Sequence, residues 1–413
     1  MVDNSKRRFF FDRRVHTHLA VALLICGCGE GNSPSFGSSG GTDGTSTGSG
    51  GSTTTTGSGA GGAGTVGAGG AGNSGGEDSG GGGTGGAGGS GGELDSGGFD
   101  SDDPCAIPPP PSALVGWASV DAMGQNGTIG GGSTTPIRVD TAASFMTSVA
   151  GTAPRVIYVT GKLSGSFGIG SNKTIVGLCG AEIHGHLGLS TSVNVIVRNL
   201  TVVGNNCTDS PADCSGGADA ITVSNGSHHI WFDHDDVYDG SDGNLDVVSG
   251  SDFVTISWTK FHYSTARTDP LAGSSGHRFS NLIGSADNVP GDVGHLNVTF
   301  HHDWWADHVD QRMPRDRNGK IHVYNNLFTS AGNRYCTNAG FQASLLVENN
   351  VYIGVSNPLS PDANGDMLAR GNLFDNTSGT QSASGTGFVP DYAYTAEPTA
   401  NLAASLMKDV GPH

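Results

Sequence analysis

Positive charge is scarce in this sequence. Its 413 residues contain 20 Lys and Arg against 38 Asp and Glu, which gives a formal net charge of −18. Such an excess of acid argues against binding to nucleic acid or to an anionic surface. It also repels a polyanionic ligand at long range, unless a cation or a local basic patch lies at the binding site.

Long apolar runs are lacking as well. The N-terminal apolar run at 19–26 is too short to span a bilayer, but it follows Lys6 and several arginines, which is the charge order of an export signal. Gly27 then precedes Cys28, and this pair resembles the processing site of bacterial lipoproteins, in which the cysteine becomes lipidated. We expect 1–28 to direct export to the cell surface with Cys28 as a lipid anchor; simple secretion or an uncleaved segment are the alternatives.

Lys and Arg are absent from 29–104, where nearly every residue is Gly, Ser, Thr or Ala. Such a segment buries too little apolar surface to offset the entropy of the chain, so we expect a disordered linker. It would hold a domain away from a membrane, although an inert low-complexity insert has the same composition.

The composition changes at residue 105, and 105–413 is long enough for one large repetitive domain. No pair of close Cys-x-x-Cys spacings there suggests a zinc site. Five cysteines remain, and in an exported protein they can oxidise. Cys207 and Cys214 would close a short loop, but the odd number leaves at least one thiol over. These five are Cys105, Cys179, Cys207, Cys214 and Cys336.

Helical periodicity is almost absent from this domain. Short β-branched segments recur instead, most of them starting about 20 to 25 residues apart. That period is typical of a solenoid whose coils bury one another's faces, whereas a β-sandwich usually lacks it. The pattern therefore predicts an all-β solenoid. The segments are 156–159, 174–177, 194–203, 229–232, 253–258, 296–300, 320–324, 344–347 and 366–369.

Asparagine recurs at the ends of these segments, at Asn199, 325–326, 349–350 and Asn372. Stacked at equivalent turns, asparagine side chains can hydrogen-bond to one another along a ladder and tolerate a left-handed backbone. We therefore interpret these residues as structural.

Three arginines within six residues, Arg312, Arg315 and Arg317, form a positive patch in this acidic chain. From charge pattern alone, a surface cluster of ion pairs with Asp310 and Asp316 is as good an interpretation as a binding site. The patch needs further information before a function can be assigned to it.

Eight short strings in the domain supply that information. They are NKTIVG at 172–177, NVIVRN at 194–199, IWFDH at 230–234, DGNLD at 242–246, VTISW at 254–258, LIG at 282–284, VTFHH at 298–302 and RMPRDR at 312–317. In this order they resemble the strings of the pectate lyase family, polysaccharide lyase family 1. The resemblance runs from about Pro111 to the C-terminus. It implies a right-handed parallel β-helix that cleaves polygalacturonate by β-elimination into 4,5-unsaturated oligogalacturonates.

The resemblance also implies roles for two arginines. Arg312 aligns with the catalytic base that removes the proton on C5 of a galacturonate unit, and Arg317 aligns with a residue that grips the substrate carboxylate. Charge that develops at C5 spreads into this carboxylate, so cations beside it stabilise the transition state more than the ground state. Free arginine has a pKa above 12, so its role as a base requires neighbouring cations and alkaline pH.

Calcium is the cofactor that the resemblance implies. Asp219, Asp242 and Asp246 align with acidic calcium ligands of the family, and carboxylate oxygens are the hard ligands that calcium prefers. Gly217 stands where the family has a further acid, which predicts weaker calcium binding in the absence of substrate.

The family's substrate-binding lysine is missing. Phe279 lies near its expected place, and either Arg278 beside it or Arg267 further back is the candidate substitute, although arginine and lysine are not equivalent. Trp304 or Trp305 is a candidate for a cleft residue that stacks on a sugar.

We therefore interpret the sequence as a pectate lyase whose partner is an acidic polysaccharide. We expect a monomer that contacts a membrane only through Cys28. A pectin lyase, which takes methyl-esterified chains without calcium, is the nearest alternative and is disfavoured by the three aspartates. A non-catalytic, glycan-binding β-helix is the second alternative, and Arg312 and Arg317 argue against it.

Overall fold

A computed structural model of the protein describes residues 105–108, 113–204, 219–264 and 277–413. The export segment 1–28, with Cys28, and the linker 29–104 lie outside the described residues, as do Pro111, Cys207, Cys214, Gly217 and Arg267.

The regular secondary structure of the described chain is mostly β-strand. The first strands are β1 (Asp121–Ala122), β2 (Gln125–Asn126), β3 (Ile137–Val139), β4 (Arg155–Ile169), β5 (Lys173–Ser190), β6 (Val193–Arg198), β7 (Thr201–Val203), β8 (Ile221–Ser224), β9 (His228–Asp233), β10 (Asp236–Tyr238), β11 (Leu245–Val247), β12 (Asp252–Ser257) and β13 (Lys260–His262). The remaining strands are β14 (Leu282–Ile283), β15 (Val298–His301), β16 (Trp304–Trp305), β17 (Arg315–Asp316), β18 (Lys320–Tyr324), β19 (Leu327–Phe328), β20 (Thr337–Ala339), β21 (Ser344–Glu348), β22 (Val351–Ile353), β23 (Leu359–Pro361), β24 (Asp366–Arg370) and β25 (Leu373–Asp375). The helices are α1 (Ala142–Val149) and α2 (Leu402–Asp409), with 3₁₀ turns at Trp117–Ser119, Pro290–Asp292 and Thr399–Asn401.

Strands β3 to β25 pair in parallel along three ladders. The first ladder joins β3, the starts of β4 and β5, then β6, β9, β12, β15, β18, β21 and β24. The second joins the middle of β5 to β7, β10, β13, β16, β19, β22 and β25. The third joins the end of β5 to β8, β11, β14, β17, β20 and β23. Each coil adds one strand to each ladder, which is a parallel β-helix and confirms the all-β solenoid.

The core runs along the inside of the coils. On the third ladder, Leu189, Val223, Val247 and Ile283 follow one another and are fully buried. Rings also stack from coil to coil, with centroids 4.7 Å apart for Trp305 and Phe328. Like side chains therefore meet like side chains in successive coils, which is why the β-branched segments of the sequence recur at a fixed period.

The asparagines form the expected ladder. Asn326 donates from Nδ2 to Oδ1 of Asn350 at 3.0 Å, and Asn350 donates to Oδ1 of Asn372 at the same distance. Asn325 and Asn349, one residue before two of these rungs, have φ angles of 53° and 51°, in the left-handed region that asparagine tolerates. The structural interpretation of these residues is confirmed.

Both α-helices pack on the β-helix, and the sequence pattern predicted neither of them. Phe145 of α1 packs edge-on against Phe167, with ring centroids 4.9 Å apart. Leu402 and Leu406 of α2 pack on Leu327 of the second ladder. Each helix has only eight residues, too few for a clear helical period. No helix in the described part of the chain is long and apolar enough to cross a membrane.

A disulfide joins Cys105 to Cys179, which are 74 residues apart in sequence. Among the described cysteines, Cys336 is fully buried and carries a free thiol.

Candidate active site

The register of the strands in the third ladder determines which side chains face outward together. Val247, Ile283, Asp316 and Ala339 occupy one inward-facing row, since they are in register from strand to strand. Neighbouring residues along a strand point to opposite faces. The row one residue earlier therefore faces outward, and it consists of Thr222, Asp246, Leu282, Arg315 and Asn338.

Two of the predicted calcium ligands lie close together on this face. The Oδ1 atoms of Asp219 and Asp246 lie 2.9 and 2.8 Å from the position that a Cβ atom on Gly243 would occupy, so the two oxygens are at most 5.7 Å apart, the sum of those distances. A side chain at position 243 would displace these carboxylate oxygens. Oδ2 of Asp219 accepts a hydrogen bond from Thr222 at 2.9 Å, but Oδ1 is buried without a hydrogen-bond partner.

Burial makes this carboxylate pair reluctant to ionise. It raises the pKa of Asp219 to about 6, and the nearby negative charge of Asp242 acts in the same direction. Burial also raises the pKa of Asp246 well above its usual range, with a further contribution from Asp219. Asp242 itself is more exposed, and its Oδ1 lies 3.6 Å from Nε2 of His277. The three aspartates thus repel one another at a site that a cation would relieve.

Arg312 lies within electrostatic reach of these acids. Its positive charge lowers the pKa of both Asp219 and Asp246. Its φ angle of 64° places it in the left-handed region, where a residue with a long side chain is uncommon. Cζ lies 4.1 Å from the centroid of the Phe279 ring, and Nε is buried without a hydrogen-bond partner. The guanidinium is therefore held by an aromatic face and not by a carboxylate.

Phe279 is a contributor whose role the sequence did not reveal. It forms an isolated parallel bridge with Gln311, one residue before Arg312, and this pairing brings the ring under the guanidinium. The sequence marked Phe279 only as the residue near the place of the missing lysine. Its contact with Arg312 joins successive coils, with β14, β15 and β16 between them in sequence, so no local pattern indicates it.

The other two predicted arginines are engaged by protein groups. Arg317 donates from Nε to Oδ1 of Asp287 at 2.9 Å and from Nη1 to the Gly284 carbonyl at 2.8 Å. Arg278 donates from Nε to the His308 carbonyl at 2.8 Å. The structure thus brings Arg312 together with the aspartates, while Arg317 in the same coil and Arg278 in the preceding coil have partners of their own.

Neither tryptophan of the second ladder lines this face. Trp305 is fully buried in the core. Trp304 packs with the cluster under α2 and has Lys260 5.1 Å from its ring centroid. Both belong to β16 on the second ladder, so the expectation of a cleft tryptophan was wrong. The sequence did not show which ladder Trp304 and Trp305 join; they join the second ladder, whereas the aspartates and arginines lie on or beside the third.

Comparisons with known proteins agree with this geometry. The profile of the family described as pectate lyase matches residues 109–409. Pectate lyase A of Aspergillus niger is 32% identical over 312 residues, which cover 72% of this chain and 87% of the relative. The chain belongs to the pectate lyase family. It is thereby a polysaccharide lyase.

Two further family members show how far the similarity extends. Pectate lyase E of Dickeya chrysanthemi is 28% identical over 376 residues, covering 73% of this chain and 86% of the relative. A crystal structure of a pectate lyase from Bacillus sp. N165, in complex with trigalacturonate, superposes with a TM-score of 0.60 at 24% identity, covering 72% of this chain and 98% of that one. At that identity the superposition supports the fold alone.

Proposed function

We propose that this protein is a pectate lyase that cleaves polygalacturonate by calcium-assisted β-elimination, with Arg312 as the base. One observation carries the proposal: among the described residues, the Arg312 guanidinium has no hydrogen bond or ion pair, yet it lies beside a cluster of three aspartates. An ion pair would hold the guanidinium against a protein carboxylate, whereas an unpaired guanidinium can be directed at the substrate.

The reaction requires a base, a leaving group and a way to hold developing charge. Arg312 in its neutral form takes the proton from C5, the C5–H electron pair forms the C4–C5 double bond, and the bond from C4 to the glycosidic oxygen breaks. That oxygen leaves with a proton from solvent. Arg317 lies close enough to Arg312 for their charges to interact, so it can hold the C6 carboxylate as charge spreads into it. An anti β-elimination mechanism has been described for a pectate lyase of the same fold.

Arg317 is partly buried, which lowers its pKa, and the charges of Arg315 and Arg312 lower it further. A base role for Arg312 requires its guanidinium in the neutral form. Because the pKa of free arginine lies above 12, we expect turnover to rise toward alkaline pH.

The three aspartates are suited to calcium. Two buried carboxylates within 5.7 Å, one of them with an orphaned oxygen, form a donor set that hard divalent cations prefer. In the described part of the chain, no group of three or more histidine, cysteine, aspartate or glutamate side chains is placed to hold a metal ion by itself. We expect substrate carboxylates to complete the calcium shell. Bound at Asp219, Asp242 and Asp246, the ion would supply positive charge beside the substrate carboxylate.

Absorbance of the unsaturated product during incubation with polygalacturonate tests the reaction. Arg312→Ala should lower kcat at least about 10²-fold while leaving the fold and substrate binding intact. Arg334→Ala is a matched control, because Arg334 is exposed and pairs with Asp310. Near-normal turnover of Arg312→Ala would refute this mechanism. Binding without product formation by the wild type would favour a glycan-binding protein.

The calcium requirement is tested with a chelator and with Asp242→Asn. We expect wild-type activity to be lost in chelator and restored by calcium, and the variant to need a much higher calcium concentration. Full activity in chelator, with a preference for methyl-esterified chains, would instead identify a pectin lyase.

We also propose that the protein is exported and anchored at the cell surface through Cys28. The charge order of 1–28 and the Gly27–Cys28 pair support this localisation. Membrane fractionation of wild-type and Cys28→Ala proteins is the test. Equal recovery of both in the soluble fraction would contradict the anchor.

A further inference from the structure

Arg315 differs from the other arginines near the site because its side chain has no hydrogen bond, no ion pair and no aromatic ring beneath it among the described residues. Arg278, Arg317 and Arg370 donate hydrogen bonds to carbonyls or carboxylates. Arg334 forms an ion pair with Asp310 at 3.5 Å. In the described part of the chain, Arg315 has neither a hydrogen bond nor an ion pair, and its Nε is buried without a partner. In a protein with a net charge of −18, a cation left unpaired at a binding face points to an external anion.

The register of the third ladder fixes where this cation stands. Arg315 lies in the outward row, between Leu282 on one side and Asn338 on the other. Asp246 occupies the same row two strands away, because Oδ1 of Asp246 accepts a hydrogen bond from the backbone N–H of Leu282. Neighbouring strands are about 4.8 Å apart, so the two positions are separated by roughly 10 Å. Arg315 thus lies beyond the aspartates, where a further unit of a bound chain would pass.

Two neighbours of Arg315 also have unsatisfied polar atoms. The hydroxyl of Tyr335 is buried without a hydrogen-bond partner, and the charges of Arg315 and Arg312 both act on it. Asn338 donates from Nδ2 to the Ser360 carbonyl at 2.6 Å, which leaves its Oδ1 unpartnered. Buried polar groups are nearly always hydrogen-bonded, so three such groups in one place indicate a ligand that completes them.

We propose that Arg315, Tyr335 and Asn338 form a subsite for the carboxylate and hydroxyl groups of a second uronate unit, beside the unit on which Arg312 acts. The guanidinium pairs with the carboxylate in the fork geometry that arginine favours, and the phenol and the amide oxygen bond to hydroxyls of the same unit. This subsite rests on the proposed function, because it requires a bound chain of several uronates.

The subsite makes a different prediction from a purely electrostatic role for Arg315. A positive charge that only disfavours protonation of Arg312 would act on kcat and shift its pH profile, with little effect on KM. A residue that binds a carboxylate in both the ground state and the transition state acts on KM and leaves kcat unchanged. It also acts only on substrates long enough to reach it.

The test compares Arg315→Gln, Arg315→Lys and Tyr335→Phe with wild type on galacturonate oligomers of increasing length. Arg138→Gln is the charge-matched control, since Arg138 is exposed on β3 of the first ladder. We expect Arg315→Gln to raise KM about 10- to 100-fold on the longer oligomers, the range of a charged hydrogen bond, with kcat and its pH profile unchanged. Arg315→Lys should retain part of the affinity, and Tyr335→Phe should raise KM by a smaller factor. Arg138→Gln should match wild type.

Direct binding keeps the test independent of turnover. In an Arg312→Ala background, calorimetry with the longer oligomers should show the same loss of affinity for Arg315→Gln, with folding checked by circular dichroism. An unchanged KM and affinity, or a fall in kcat with a shifted pH profile, would overturn the subsite while leaving the pectate lyase proposal in place. Failure of the wild type to bind or cleave any oligomer would instead overturn the proposed function.

Discussion

Replacing Asp316 by valine should stabilise the protein, and the gain should grow with pH. Asp316 lies between two functional arginines in sequence, but its side chain points inward, and the residue is fully buried. Its register neighbours are Ile283 and Ala339, so the row around it is aliphatic. Neither of its carboxyl oxygens has a hydrogen-bond partner in the structure.

The expected gain follows from these unpaired oxygens. A buried polar group without a hydrogen bond costs about 1–3 kcal/mol of stability, and valine is close to aspartate in size, so it should fit the row without a cavity. We therefore expect the free energy of unfolding to rise by about 1–3 kcal/mol near pH 4, where the carboxyl is neutral in the folded state and about half ionised in the unfolded chain.

The pH dependence comes from the same burial, which raises the pKa of Asp316 well above its usual range. In the unfolded chain the carboxyl ionises at a pKa of about 3.9, whereas in the folded protein it stays neutral to higher pH. The unfolded state then binds fewer protons, so wild-type stability falls as pH rises above 4 until the folded pKa is passed. Asp316→Val lacks this loss, so its advantage should be larger at pH 8 than at pH 4.

Urea unfolding of wild type and Asp316→Val at pH 4, 6 and 8 measures the effect. Asp391→Val makes the same atomic change at an exposed position and should stay within about 0.5 kcal/mol of wild type. A destabilised Asp316→Val, or a gain that does not increase with pH, would show that the carboxyl has a partner in solution and refute the reasoning.

Other predictions follow from single contacts. Burial alone would raise the pKa of Glu348, but hydrogen bonds from an imidazole, a phenol and a guanidinium hold it at about 2. These bonds stabilise the folded protein at neutral pH, and the stabilisation is lost as pH falls from 4.5 toward 2. Acid unfolding of Glu348→Gln should therefore depend less on pH. Asp287→Asn should lower KM about two- to fivefold, because it frees Arg317 from an exposed ion pair; an unchanged KM would argue against substrate contact. Phe279→Ala should lower kcat about tenfold or more, since Arg312 loses the ring that positions it, and steady-state kinetics measures this.

The sequence alone predicted the architecture because the regular coils of a parallel β-helix produce a repeat that is visible in the sequence. Each coil must place an aliphatic or aromatic residue against its equivalent in the next coil, so the period of the solenoid is visible as the spacing of short segments. The rungs at Asn326, Asn350 and Asn372 were visible for the same reason. The motif around Arg312 and the three aspartates indicated the family, and the profile match confirmed it.

Tertiary structure alone decided which charged groups are free and which are paired. Arg312, Arg315 and Arg317 look alike in sequence, yet only Arg317 has a carboxylate partner, supplied by a loop 30 residues earlier. The inward position of Asp316 and the platform provided by Phe279 likewise depend on strand register and on bridges between coils. Cys105 pairs with Cys179 across 74 residues. Such contacts join residues far apart in the chain, and no local pattern of residue types encodes which distant side chain a coil will bring alongside.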